Sequence, residues 1–334
     1  MSLSHRDRIE HSISGQSVDR PAVSLWRHFP VDDQTPEGLA RAILQFQERF
    51  DFDFIKITSA STFCIKDWGV EDEWQGNPEG TRKIIREPVQ DMADWSKIKP
   101  LSVKQGSLGQ QLRCIDLIKK RTPDSTPVIQ TIFSPMSQAK NLVGRDNLTT
   151  HIRMYPEAVK QALQVITNIT VKFVQECQNL AIDGIFFAEQ HAQYSILSFS
   201  EFKEFCEPYD LQILEAAQPF WFNVGHIHGT NIMFDELCSY PVQVLNWHDL
   251  ETMPGLDEGQ KLFKNGAVCG GLRQWETLAY ASPGQVKEEA RRAIEKTNGK
   301  HFILGTGCVT PIITPDANIF AAREVVEEYS GRGG

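Results

Sequence analysis

The chain has 334 residues, 41% of them hydrophobic, and a formal net charge of −9. That acidic balance excludes a sequence-independent grip on nucleic acid, which needs a basic surface, and no apolar stretch approaches the roughly 20 residues of a membrane-crossing helix. Seven cysteines, at 64, 114, 177, 206, 238, 269 and 308, form an odd, scattered set that is no disulfide framework; with no basic and apolar leader at the start, the expected location is the reducing cytoplasm.

Short apolar runs alternate along the chain with longer stretches of helical spacing. A strand over 22–26 leads to a helix over 36–50, and a strand over 52–57 leads to a long excursion over 59–125 that ends in a helix over 108–120. Strands over 128–133 and 184–188 precede helices over 156–180 and 199–217. Strands over 220–224, 242–247, 267–270 and 302–305 follow, with helices over 231–239, 283–296 and 315–329. Continuous apolar runs, rather than strict alternation, mark parallel strands buried on both faces. Eight such units in this length predict an α/β chain folded as a (β/α)8 TIM barrel, one domain over 1–334, with an extended insertion after strand two. An open doubly wound sheet is the alternative, but no G-x-G-x-x-G follows the first strand. The excursion, with Asp67-Trp68-Gly69, Trp74 and Arg86-Glu87-Pro88, reads as a lid or short hairpin over the catalytic face.

In a TIM barrel the active site lies where the strands end, and here those ends are polar. Arg27 and His28 follow the first strand and Lys56 and Thr58 belong to the second. Glu189, Gln190 and His191 end the fourth, His226 and His228 the fifth, and Asn246, Trp247, His248 and Asp249 the sixth. Gly270 and Gly271 end the seventh and Thr306-Gly307-Cys308 the eighth. The expected substrate-binding set is Arg27, His28, Lys56, Gln190, His191, Asn246, Gly270 and Gly271, the two glycines allowing close approach of backbone to ligand. His248 beside Asp249 is an acid/base candidate, with simple hydrogen bonding or support of a ligand as the alternative.

The motif Gly225-His226-Ile227-His228-Gly229 carries the most chemistry. Histidines at i and i+2 on an extended segment point to one side, so His226 and His228 can share a metal ion with Cys308 and Glu189 from other strand ends. A mixture of nitrogen, sulfur and carboxylate ligands suits zinc. The alternative is a pair of loop histidines bonded to backbone carbonyls.

At these residues the chain resembles the uroporphyrinogen decarboxylase (URO-D) superfamily, which includes the zinc-dependent methylcobamide:coenzyme M methyltransferases. The likeness runs through Arg20-Pro21-Ala22-Val23-Ser24-Leu25-Trp26-Arg27, Leu197-Ser198 to Glu207-Pro208-Tyr209, the 225–229 motif, and Gly307-Cys308 leading to Thr314-Pro315-Asp316-Ala317-Asn318. The decarboxylase's Arg-Gln-Ala-Gly-Arg motif is matched at Arg27 but continues as His28-Phe29-Pro30-Val31. Its Gly-His-Gly histidine falls at Thr306, and its tyrosine has no counterpart near Ser134-Pro135-Met136. The methyltransferases' His-x-Cys and Gly-Cys elements are matched at His226 and Cys308, with His228 where the middle cysteine would stand.

The resemblance therefore implies a zinc enzyme that moves a methyl group between a corrinoid and a thiol, with Glu189 as displaceable ligand or proton acceptor. The corrinoid would arrive on a partner protein, and a homodimer is possible. A cofactor-independent uroporphyrinogen decarboxylase of tetrapyrrole biosynthesis and a non-catalytic corrinoid- or porphyrin-binding protein stay open beside it.

Overall fold

The structure, a computed structural model, describes residues 2–330. Eight parallel strands form one curled sheet: β1 (Ala22–Val23), β2 (Ile55–Ile57), β5 (Val128–Phe133), β6 (Gly184–Glu189), β7 (Val224–Ile227), β8 (Val244–Trp247), β9 (Ala267–Leu272) and β10 (Phe302–Thr306). A separate antiparallel hairpin, β3 (Glu71–Glu73) with β4 (Lys83–Arg86), lies within the excursion. The spatial order is β1-β10-β9-β8-β7-β6-β5-β2. The ring closes between β1 and β2, where the Asp53 amide donates to the Val23 carbonyl (2.9 Å) and the Ser24 hydroxyl donates to the Phe54 carbonyl (2.9 Å). The fold is thus the expected α/β barrel, and no helix among the described residues is long and apolar enough to cross a membrane.

Local chemistry sets the crossover helices. Thr35 caps the helix Pro36–Phe50 by accepting from the Gly38 amide, Pro36 starts it, and Asp51 ends it in the left-handed conformation. Ser282 forms a capping box with Gln285 at the start of Pro283–Thr297. The helix expected over 199–217 divides into Phe199–Phe205 and Glu207–Ala216. Pro208 supplies no amide and disfavours helical backbone before it, so the chain bends at Cys206. The helix expected over 231–239 shrinks to Phe234–Leu237, because Asn231 turns left-handed (φ 52°) and Ile232 bridges to Gln193.

Two helices that bear on the site had no expectation, Pro135–Val143 and Arg145–Met154. The strand expected over 220–224 pairs later, as Val224–Ile227, which puts His226 inside the ladder opposite Ala188 and Asn246.

Inside the barrel, side chains stack in layers. Phe54 packs edge-on to Phe222 (5.0 Å between ring centres), and above them Trp26 meets Phe186 (5.3 Å). All four are buried, so truncating one to alanine would cost about 3–5 kcal/mol. This aromatic plug is the floor of the site. The excursion folds over its rim: Arg82, beside β4, donates to the Pro30 carbonyl (2.6 Å) and to Asp33 (2.7 Å), tying the hairpin to the loop after β1.

Candidate metal centre

A cavity of about 630 Å³ opens at the C-terminal ends of the strands. Its wall includes Trp26, His28, Lys56, Thr58, Phe186, Gln190, His191, His226, His228 and Cys308. The pleat explains the selection. Side chains alternate across a strand, so Trp26 and His28 face the cavity while Arg27 between them lies 5.1 Å from the Phe46 ring centre. His226 shares its side with Ala188 and Asn246, its ladder partners.

His226 within β7, His228 just after it, His248 just after β8 and the Cys308 sulfur beyond β10 converge. The ligand atoms of His226, His228, His248 and Cys308 all lie within 4.8 Å of one another, and Cys308 Sγ is 3.8 Å from His228 Nδ1. A tetrahedral zinc site, with bonds of about 2.0–2.3 Å, places its ligand atoms about 3.3–3.8 Å apart. The cluster therefore needs only a small contraction. The separation of 226 and 228 from 308 in the chain is bridged because β7 and β10 are held in one ring.

The tautomer of His226 is set by its neighbours. The Asn246 amide nitrogen donates to the carbonyls of Cys269 (2.9 Å) and Thr306 (2.8 Å), so its oxygen must face His226 Nδ1 at 2.7 Å. That oxygen accepts the Nδ1 proton and leaves Nε2 as a bare lone pair, the state a ligating histidine needs. Among the described residues His248 has no hydrogen-bond partner at either buried ring nitrogen, although Nδ1 lies 3.3 Å from the Glu251 carboxylate. Buried polar atoms without partners cost free energy unless something else engages them, and a cation at the centre of this cluster would do so. Burial, with His248 close by, drives the His228 pKa down to about 3, and burial also lowers those of His226 and His248. Burial pushes the Cys308 thiol up to about 11. Three neutral imidazoles and one protonated thiol therefore face a common point near neutral pH.

Several expected residues lie elsewhere. Glu189, on the opposite side of its strand from Ala188, is not in the cluster: its carboxylate accepts from the amides of His191 and Ala192 (3.2 Å for the latter). Asp210 is buried beside it, burial raises the pKa of both carboxyls, and the Tyr240 hydroxyl donates to Asp210 (3.0 Å). Through those amides Glu189 holds the loop after β6, and it is not among the groups that converge. Asp249 does not pair with His248; it accepts from the Gly271 amide (3.0 Å), and Glu251 is the carboxylate beside His248.

Gly270 and Gly271 do not approach the cavity. A side chain at Gly270 would strike Asp249, and one at Gly271 (φ 102°) would strike Ala293, so the glycines serve packing against outer helices. Asn246, expected to bind substrate, is not on the cavity wall and hydrogen-bonds His226. Arg27 faces Phe29 and Phe46 outside the cavity. His28, Lys56, Gln190 and His191 do line the cavity, and Gln190 accepts from Lys140 Nζ (2.7 Å).

The cavity adds residues that the strand ends could not reveal. Lys140 and Arg145 come from the two helices after β5, and Glu79 and Arg82 from the hairpin. With Lys56, these place four cations against one carboxylate on the wall, although the whole chain is acidic. The start of the first of those helices was signalled by Ser134-Pro135, where Ser134 caps by accepting from the Ser137 amide. Lys56 is buried without a carboxylate partner among the described residues, and burial pulls its pKa down to about 7, opposed by Cys308.

The chain matches the family described as Uroporphyrinogen decarboxylase (URO-D) over residues 4–329. It is 22% identical to the protein named Methylcobamide:CoM methyltransferase MtbA of Methanosarcina mazei, with 97% of this chain and 98% of that protein covered. The protein of the same name from Methanosarcina acetivorans is 21% identical, with 74% and 71% covered. In three dimensions the chain superimposes on a methyltransferase from Methanosarcina mazei with a TM-score of 0.85, at 17% identity and 98% and 99% coverage. The barrel, the strand-end site and the match over almost all of its length make this chain an enzyme of the uroporphyrinogen decarboxylase (URO-D) family.

Proposed function

We propose that this enzyme is a zinc-dependent methyltransferase that moves a methyl group between a corrinoid, presented by a partner protein, and a small thiol. The observation that carries the reading is the convergence of His226, His228, His248 and Cys308 on one point at the cavity floor. The names of its Methanosarcina relatives, methylcobamide:CoM methyltransferases, supply the direction of the chemistry.

The residues present fit zinc: nitrogen and sulfur donors, an Asn246 contact that frees the ligating nitrogen, and an imidazole with no other hydrogen bond. His226, His228 and Cys308 would hold the ion, with His248 as the fourth group. Bound there among three neutral imidazoles and one thiolate, zinc would keep a net positive charge and favour the thiolate form of an incoming thiol, whose ordinary pKa is about 8.5. His248, whose Nδ1 lies 3.3 Å from the Glu251 carboxylate, would be the group best able to make room for a substrate sulfur. Beside that carboxylate its imidazole would be placed to accept the thiol proton. The aromatic floor of Trp26 and Phe186 and the overlying hairpin exclude water from the sulfur.

The test has two parts. Purified protein should contain close to one zinc per chain by elemental analysis, and H226A or C308A should lose it. Zinc-loaded protein should demethylate methylcobalamin in the presence of a thiol, followed by the cobalamin spectrum, and both variants should be inactive. Protein free of zinc under all loading conditions, or full turnover by C308A, would remove the reading. The electropositive wall favours a second reading, cofactor-independent decarboxylation of an acidic tetrapyrrole, for which carbon dioxide release from uroporphyrinogen III is the direct assay. That reading leaves the histidine–cysteine cluster without a task.

A further inference from the structure

The hairpin over the cavity is attached to the barrel with little apolar burial. Val70 and Val89 are buried at its two ends, and between them Gly80 alone is buried. The attachments are polar. The Ile312 amide, beyond β10, donates to the Pro78 carbonyl (2.8 Å), Arg82 donates to the Pro30 carbonyl and to Asp33, and Asp72 meets Thr62 and Lys66. A side chain at Gly80 (φ 80°) would strike His28 Cβ and Ile312 Cγ2, so the hairpin tip presses directly on the loops after β1 and β10. A segment held by a few polar contacts opens at lower cost than the core.

Glu79 stands between the two pinned residues, Pro78 and Gly80, and its amide donates to Asn77 Oδ1 (2.9 Å). Its side chain lines the cavity together with His228 and Cys308, and its carboxylate is close enough to act electrostatically on both Cys308 and His248. Among the described residues no cation pairs with that carboxylate. Arg82 is engaged by Asp33 and Asp72, and Lys140 donates to Gln190. The hairpin therefore delivers an unpaired negative charge to the rim of the histidine–cysteine cluster.

Metal loading changes what that charge meets. Zinc brings two positive charges and expels one proton, from Cys308, so the cluster gains one positive unit whatever Glu251 contributes. Attraction between that unit and Glu79 favours the seated tip. By linkage, the seated tip raises the affinity for the ion by the same factor. In a cavity open to water, one such pair of charges is worth about a three- to tenfold change in an equilibrium constant.

We propose that Glu79 is a positioning residue of the metal centre: carried by the hairpin, it balances the charge of the loaded cluster from outside the ligand set and so couples zinc binding to seating of the hairpin over the cavity. This rests on the metal reading above. The empty site leaves the hairpin free to lift, and the loaded site draws it down.

Measurements on the full-length protein test the coupling from both ends. Zinc affinity against a chromophoric chelator should fall about three- to tenfold in E79Q, by less in E79D, and the loss should shrink as salt is raised. The Ile312 amide exchanges with solvent when the tip lifts from it, so zinc should slow its hydrogen exchange in the wild type by a similar factor, and E79Q should lose that slowing. E251Q, whose side chain is on the barrel, should keep it. The visible spectrum of the cobalt(II)-loaded protein should be the same in wild type and E79Q, as a charge outside the ligand set requires. Unchanged zinc affinity in E79Q, equal slowing at Ile312 in E79Q and wild type, loss of the slowing in E251Q, or an altered cobalt spectrum would overturn the assignment and leave the metal reading intact. Protein that binds neither zinc nor cobalt would overturn both.

Discussion

Both ends of the barrel bury polar side chains, and they treat them oppositely. At the N-terminal end, Asp53 is fully buried between Arg8 (2.6 Å) and Arg20 (2.7 Å) and also accepts from the Val23 amide (2.8 Å), so each carboxylate oxygen has two partners. The guanidiniums and the amide outweigh the burial penalty and hold the Asp53 pKa below its ordinary value. At the C-terminal end His248, His28 and Lys56 are also buried and have no such partners among the described residues. Here the paired buried charge joins the ends of chain segments, whereas Lys56 and His28 line the cavity and His248 belongs to the histidine–cysteine cluster. The contrast separates structural polarity from functional polarity more sharply than burial or charge alone.

The largest effect should come from breaking the satisfied end. D53A removes the one fully buried carboxylate that joins both guanidiniums, leaving Arg8 with Asp19 and Arg20 with the half-exposed Glu327, and should lose about 3 kcal/mol in urea unfolding. H248A, at the unsatisfied end, should leave the stability of the metal-free protein within about 1 kcal/mol of the wild type. Similar losses in both would erase the contrast.

A smaller effect should follow from N246A, which frees His226 to rotate and to take either tautomer. Zinc affinity, measured against a chromophoric chelator, should fall about 10- to 100-fold while the fold is kept. Unchanged affinity would mean that the Asn246 contact has no part in presenting Nε2.

The smallest effect per step is in pH. His228 titrates near 3, so it is already neutral at pH 6, whereas Cys308 keeps its proton up to about 11. Zinc binding must therefore expel one proton, from Cys308. Affinity corrected for zinc hydrolysis should rise about tenfold per pH unit between 6 and 9. A slope of two protons would show that a histidine is charged in the free protein, contrary to its burial.

The helix over 36–50 was legible to the residue, because Thr35, Pro36 and Asp51 mark both ends locally. The break at Pro208 was legible in principle and passed over. His226 and His228 were found by the rule that residues two apart on a strand share a side. The same rule applied to Asn246 and His248 would have joined His248 to the cluster and set Asp249 aside. Glu189 was chosen for being an acid at a strand end, and only the ladder pairing with Ala188 and His226 shows that it faces outward. Lys140, Arg145 and Arg82 carry no local mark of their role, since they reach the cavity from helices and a hairpin placed by long-range packing.

By itself, the sequence determined the alternation of apolar runs and amphipathic stretches, and with it a closed parallel barrel whose polar strand ends gather at one face. Periodicity and capping act over a few residues, so they are written locally. The tertiary structure decided which strand-end side chains look into the cavity, which partners fix their tautomers, and which buried charges are left unpaired. Those outcomes depend on the register between strands distant in the chain and on how the ring closes, and neither is encoded in any short segment.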